Sequence, residues 1–108
     1  MNTQKTLRDS IEFKGVGLHT GCEVNMILEP AKENHGIKFQ RIDIEKSPII
    51  PANIDFVNET QRSTTLEKDG IKIVTVEHLM SALYALGVNN LMIKLDNTEV
   101  PILDGSAK

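Results

Sequence analysis

Cysteine is nearly missing from this sequence, which has a single one, Cys22, among its 108 residues. One cysteine excludes a disulfide within the chain and a zinc site built from several thiolates. A lone thiol is compatible with a reducing compartment, although it does not require one. If the chain contributes to a metal site, the candidate ligands are therefore mainly histidine and carboxylate side chains.

Aromatic residues are also scarce, since the chain has three phenylalanines, one tyrosine and no tryptophan. The core must therefore be aliphatic. No apolar run reaches membrane-spanning length, and the first ten residues lack the apolar segment of a signal peptide. The net charge is −3 and no long basic cluster occurs, which argues against nucleic acid as the main partner. We therefore expect residues 1–108 to form one soluble, cytoplasmic domain without a membrane span.

Short strand patterns occupy most of the chain. Alternating or β-branched runs predict strands at 22–29, 36–42, 52–57, 62–67, 71–74, 90–95 and 99–103, with one or two more within 3–14. Two hairpins are expected, one joining 22–29 to 36–42 and one turning at Lys68-Asp69-Gly70. Residues 15–21 contain three glycines and predict a tight loop, and 43–51 reads as an exposed connection. The pattern predicts an α+β domain with one mixed or antiparallel sheet and a helix packed on one face.

One helix is predicted, within residues 74–90. Thr75 is a candidate N-cap, and Gly87 can take the left-handed conformation that ends a helix. The apolar positions recur at helical spacing and comprise Val76, Leu79, Met80, Leu83 and Leu86. Glu77 and His78 lie outside this stripe, beside a face of small residues that another surface or a ligand could approach.

The adjacent Glu77 and His78 are the residues most suited to catalysis. The unpaired amides of a helix start carry partial positive charge, which favours an ionised carboxylate and a neutral imidazole. A neutral imidazole binds metals, and a carboxylate can accept a proton from metal-bound water. The chain completes no metal site by itself, because the second histidine of a helical pair would fall at Ala82. His19 and His35 lie in predicted loops.

Other interpretations stay open at this level. Glu77 and His78 could be a helix cap and a surface residue of a non-catalytic binding or assembly module. Cys22 could be a hydrolase nucleophile, but it is predicted at a strand edge, without the helix start or adjacent base that activates a thiol. Asp104 or Ser106 could cap a second helix that the sequence does not continue, so we expect the chain to be a fragment.

Four stretches together resemble the UDP-3-O-acyl-N-acetylglucosamine deacetylase family, whose zinc enzymes act in bacterial lipid A biosynthesis. In chain order they are 15–21 (GVGLHTG), 62–66 (RSTTL), 75–83 (TVEHLMSAL) and 99–107 (EVPILDGSA). The resemblance implies two similar α+β domains that form a sandwich with the active site between them. This chain would be the N-terminal half, and the C-terminal domain would be missing.

The resemblance also implies roles for individual residues. His78 matches the family's zinc-binding histidine, and Glu77 matches the general base that activates the zinc-bound water. Leu18 and His19 match a loop that borders the substrate. Ser63 lies in a segment near the metal, where some relatives carry a cysteine. The remaining zinc ligands, a histidine and an aspartate, are implied in the missing domain, and the implied substrate is UDP-3-O-acyl-N-acetylglucosamine.

Overall fold

The computed structural model describes residues 5–17, 20–52, 57–59 and 64–101, and these form two β-sheets and one helix. In chain order the elements are β1 (Ile11–Val16), β2 (Glu23–Pro30), β3 (Ile37–Arg41), β4 (Ile49–Pro51), β5 (Val57–Glu59), β6 (Thr64–Lys68), β7 (Ile71–Val74), α1 (Glu77–Leu86) and β8 (Leu91–Leu95). The predicted α+β class is confirmed. The predicted single sheet is wrong, because the strands divide into a five-stranded sheet, β1-β2-β8-β3-β4, and a three-stranded sheet, β5-β6-β7.

The last strand, β8, lies at the centre of the five-stranded sheet. It pairs antiparallel with β2 and parallel with β3, so the sheet is mixed, as predicted. Its alternate side chains Leu91, Ile93 and Leu95 are fully buried. The predicted hairpin between the second and third strands is therefore wrong, because β8 lies between β2 and β3. Local alternation identifies a strand but does not specify its partner.

The second predicted hairpin is confirmed. β6 and β7 pair antiparallel, with Lys68 opposite Ile71. Asp69 and Gly70 form the two-residue turn, with φ angles of 53° and 79°. Positive φ at both turn positions matches the right-handed twist of the flanking strands, which explains the preference for Asp-Gly here.

Residues 43–48 form the connection that the sequence predicts, with exposed and half-buried residues, but residues 49–51 form a strand. β4 begins at Ile49 and pairs antiparallel with β3, and Ile50 is completely buried against the core. Most of the strand predicted over 52–57 lies outside the described residues, at 53–56; β4 ends at Pro51 and β5 begins at Val57. Prolines near β4 do not prevent pairing because this strand is at the sheet edge.

The helix joins the sheets in one aliphatic core. Val76, Leu79 and Leu83 of the helical segment are 2–3% exposed and belong to the same cluster as the buried β-strand residues. Burying side chains of this size contributes about 1.5–3 kcal/mol each. Leu86 was expected on the buried stripe, but 68% of its surface is exposed, so burial along this stripe stops at Leu83.

The buried Arg41 connects the two sheets and forms an ion pair with the partly exposed Asp43. Arg41, at the end of β3, donates from Nε and Nη2 to the two carboxylate oxygens of Asp43 at 2.9 and 2.7 Å. Its Nη1 donates to the backbone oxygen of Lys72 on β7 at 2.9 Å. The hydrogen bond and charge of Arg41 hold the pKa of Asp43 below its ordinary value, and burial opposes them only in part.

Asp43→Asn is expected to lower the free energy of unfolding by about 1–2 kcal/mol near neutral pH, the range for a partly solvent-screened hydrogen bond to a charged group. The folded pKa of Asp43 is depressed, so its contribution is complete above the unfolded pKa and is lost as pH falls through the folded pKa. Urea unfolding of both proteins across that pH range should show the difference shrinking in acid. A difference that stays constant would contradict the ion-pair assignment.

Candidate active site

The sequence predicts Thr75 as the N-cap of the helix, and this prediction is wrong. Helix α1 begins at Glu77, its N-cap position is Val76, and no side chain caps it. Thr75 instead has a φ of 62° and is 95% buried. A β-branched residue at positive φ is a true backbone outlier, and such strain persists only where the surroundings hold it.

Glu77 and His78 occupy the first turn of α1 and face away from the core. Nε2 of His78 lies 4.0 Å from Oε2 of Glu77, with 77% of the imidazole and 33% of the carboxylate side chain exposed. The prediction that both residues leave the apolar stripe is therefore confirmed. The next core residue, Leu79, is buried in the same turn, so the helix presents an exposed imidazole and a partly exposed carboxylate side by side.

The hydroxyl of Thr75 is held by a buried carboxylate. Thr75 Oγ1 donates to Oε2 of Glu99 at 2.7 Å, and the Glu99 side chain has no solvent-accessible surface. The same carboxylate accepts a hydrogen bond through Oε1 from the backbone N–H of Thr20 at 2.9 Å. Glu99 therefore connects the residue that precedes the helix start to the glycine-rich loop.

The backbone around Glu99 reinforces this connection. Val74 N donates to Thr98 O at 2.8 Å, and Val100 N donates to Val74 O at 3.1 Å, so residues 98–100 run beside the end of β7. Pro101 forms an isolated antiparallel bridge with Gly17. The segment 98–101 thus lies between the end of β7 and the glycine-rich loop. In the described part of the strand predicted over 99–103, the structure shows two isolated bridges, between Glu99 and Val74 and between Pro101 and Gly17.

Gly17 is required by the same packing. A Cβ placed at Gly17 would overlap Oε1 of Glu99 and lie 2.6 Å from Oγ1 of Thr20. The loop then closes through hydrogen bonds from Gly21 N to Gly17 O and from Gly17 N to Cys22 O, both 3.0 Å. The described ends of the tight loop expected from the glycines meet through these bonds, although β1 includes residues 15 and 16, which were predicted in the loop.

Comparison with known proteins identifies the family. Residues 4–108 match the family model described as LpxC, UDP-3-O-acyl N-acetylglycosamine deacetylase. The chain belongs to this family. It is 54% identical over its whole length to the bifunctional enzyme LpxC/FabZ of Bacteroides thetaiotaomicron. Over 99% of its length it is 49% and 50% identical to UDP-3-O-acyl-N-acetylglucosamine deacetylases of Ruthia magnifica and Xanthomonas campestris.

The chain covers only part of these LpxC relatives. It spans 23% of the Bacteroides protein and 35% of each of the other two. A region of these relatives longer than the chain itself therefore has no counterpart among residues 1–108.

The structure describes only some of the residues that the sequence analysis predicts to belong to the LpxC site. Glu77 and His78 are brought together at the helix start. Leu18, His19 and Ser63 lie outside the described residues, so their substrate-binding roles stay predictions, as does everything expected of residues 102–108. Glu99, which binds both Thr20 and Thr75, is not among the residues that the sequence analysis singles out. The available signal was a lone carboxylate entering the otherwise apolar run from Val100 to Leu103.

The donors at the helix start fit part of a zinc site. An exposed imidazole with a carboxylate beside it supplies one nitrogen ligand and one proton acceptor. Among the residues that the structure describes, no group of three or more histidine, cysteine, aspartate or glutamate side chains is placed to hold a metal ion. That this chain contributes one ligand of an incomplete set stays a prediction.

Two further features bear on the sequence hypotheses. Cys22 is exposed just before β2, and its Sγ lies 3.7 Å from the backbone oxygen of Thr20. A cleft of about 450 Å³ near the start of β2 is lined by residues that include Glu23 and Asp96, but not Glu77 or His78. A cleft beside that pair therefore stays a prediction.

No helix in the described part of the chain has the length and hydrophobicity needed to cross a membrane.

Proposed function

We propose that residues 1–108 are the N-terminal domain of a zinc-dependent deacetylase that removes the acetyl group of UDP-3-O-acyl-N-acetylglucosamine in lipid A biosynthesis. The observation that supports this most directly is the exposed Glu77–His78 pair on the first turn of α1, in a chain of the LpxC family. The proposal includes the cytoplasmic location expected from the sequence and a two-domain sandwich completed by the missing C-terminal domain.

His78 would hold zinc through its imidazole, together with a histidine and an aspartate of the missing domain. When bound, zinc supplies Lewis acidity, which lowers the pKa of a bound water to about 7 and polarises the amide carbonyl. Leu18, His19 and Ser63 would lie near the substrate. The rigid helix start matters here because a base must sit within hydrogen-bond reach of the proton it takes.

Glu77 would act as the general base. Its carboxylate accepts a proton from the water that attacks the acetamide carbonyl carbon, and a C–O bond forms. The C–N bond then breaks, the nitrogen takes up a proton, and acetate and the free amine of the sugar are released. This role needs only a carboxylate adjacent to the ligand histidine, which is the arrangement at residues 77 and 78.

Metal removal from the complete protein is expected to abolish acetate release, and zinc is expected to restore it. The measurement is formation of free amine from UDP-3-O-acyl-N-acetylglucosamine before chelation, after chelation and after zinc is added back, with zinc content determined at each stage. Absence of stoichiometric zinc together with absence of acetate release would reject the deacetylase and favour the non-catalytic module. Full activity in the zinc-free protein would reject the metal role.

A further inference from the structure

We propose that Glu99 is a positioning residue that fixes the glycine-rich loop relative to the start of α1. The two ends of its carboxylate bind different parts of the candidate site: Oε2 accepts from Thr75 Oγ1 at 2.7 Å, and Oε1 accepts from Thr20 N at 2.9 Å. This inference deepens the proposed function, because the loop it holds contains the residues predicted to border the substrate.

Burial makes this connection stiff. Glu99 has no accessible surface, so its two hydrogen bonds form in surroundings of low dielectric constant, where they are stronger than in water. A buried carboxylate is unfavourable unless its oxygens are satisfied, so the side chain resists any movement that separates Thr20 from Thr75. The backbone bridges from Val74 and Gly17 to the segment 98–101 hold Glu99 from both sides.

Two special backbone positions are explained by this role. Gly17 leaves the space that Glu99 Oε1 and Thr20 Oγ1 occupy. Thr75 adopts a φ of 62°, which a β-branched residue rarely does, and its hydroxyl thereby reaches the carboxylate. Thr75 lies two residues before Glu77, so the carboxylate that holds the loop through Thr20 N also fixes, through Thr75 Oγ1, the chain as it enters the helix. Loop and base are then positioned as one unit.

The test compares variants of the complete protein. Glu99→Ala is expected to raise KM for UDP-3-O-acyl-N-acetylglucosamine about tenfold, the size of the hydrogen bond from Thr20 N that no longer holds the loop, while kcat falls less than about threefold. Zinc content should not change. Glu99→Gln should recover most of the loss, because its carbonyl still accepts from Thr20 N and its amide can donate to Thr75 Oγ1. Asp43→Asn is the control for general destabilisation, since the side-chain hydrogen bonds it removes are those from Arg41, and it should leave KM unchanged.

A second pair of variants covers the case in which Glu99→Ala does not fold. Thr75→Ser and Thr75→Ala both remove the β-branch at positive φ, but only serine keeps the hydroxyl. Alanine is expected to raise KM several-fold relative to serine. Equal KM values for the two, or a folded Glu99→Ala protein with wild-type KM, would overturn the proposal, as would the same rise in KM for Asp43→Asn.

Amide exchange separates this inference from the proposed function. Exchange of the Thr20 amide, measured by NMR, should accelerate at least tenfold in Glu99→Ala, or in Thr75→Ala if the former does not fold, while exchange of the Leu83 amide stays unchanged. This readout does not depend on catalysis. If the wild-type protein does not deacetylate the substrate, the proposed function fails but accelerated Thr20 exchange still supports the connection. Unchanged Thr20 exchange overturns the positioning role even in an active deacetylase.

Discussion

Glu77→Gln in the complete protein is expected to lower kcat for the proposed acetate release by about 10²-fold or more, in the range found for loss of a general acid–base group. Glutamine keeps the size and hydrogen-bonding shape of the side chain but cannot accept a proton at neutral pH. The substitution changes Glu77 and leaves His78, in the same helical turn, in place. Zinc content should therefore stay at the wild-type level. The measurement is the steady-state rate of acetate release with zinc determined in the same sample.

The matched control for this variant is Glu12→Gln, which neutralises an exposed carboxylate on β1. It should leave kcat and KM unchanged, which separates a local role of Glu77 from the change of one unit in net charge. A Glu77→Gln enzyme with normal turnover would remove Glu77 from catalysis. A Glu77→Gln enzyme that loses zinc would show that the carboxylate supports the metal rather than the proton transfer.

Local features of the fold follow from the sequence because their causes are local. The Asp69-Gly70 turn needs positive φ at both positions, and both residue types accept it. Gly87 ends α1 with a φ of 74°, and its N–H bonds to the carbonyls of the last turn, as expected of a glycine C-cap. The alternation in 91–95 places Leu91, Ile93 and Leu95 on one buried face. In each case the physical requirement lies within a few residues of the signal.

Long-range features could not be predicted in the same way. Nothing within 91–95 specifies that β8 pairs with both β2 and β3, because pairing depends on which hydrophobic faces meet in the folded chain. Thr75 is a reasonable N-cap by residue type, yet its hydroxyl binds Glu99, which lies 24 residues later. The tertiary contact overrides the local preference. Glu99 itself shows no periodic pattern that would mark it as a buried carboxylate.

In the candidate site, too, local features could be predicted from the sequence and long-range contacts could not. The position of Glu77 and His78 outside the apolar stripe follows from helical periodicity, and the structure confirms it. Their roles come from family resemblance, since an acidic residue followed by a histidine at a helix start has ordinary structural explanations. The connection through Glu99 required coordinates, because it joins residues 20, 75 and 99. A single sequence reveals the reactive side chains more readily than the residues that position them.

His78→Ala is expected to reduce both zinc affinity and kcat of the complete protein by at least about 10²-fold. Loss of a residue that only hydrogen-bonds to a metal ligand already lowers metal affinity or activity by up to about 10²-fold, and loss of a ligand should lower them at least as much. The imidazole is 77% exposed and is not part of the core, so its removal should leave the free energy of unfolding nearly unchanged. Loss of activity would then reflect loss of the ligand, and zinc titration of the variant measures it directly.

His35→Ala provides the matched removal of an imidazole. His35 lies in the β2–β3 connection, where its Nδ1 is 2.8 Å from the backbone oxygen of Gly36, and it has no assigned role in the site. We expect zinc affinity and kcat of this variant to equal those of the wild-type enzyme. If His78→Ala retained zinc while His35→Ala lost it, the metal would be bound elsewhere, and the helix start would contribute a base but no ligand. Equal zinc affinity in both variants would place every ligand in the remainder of the enzyme.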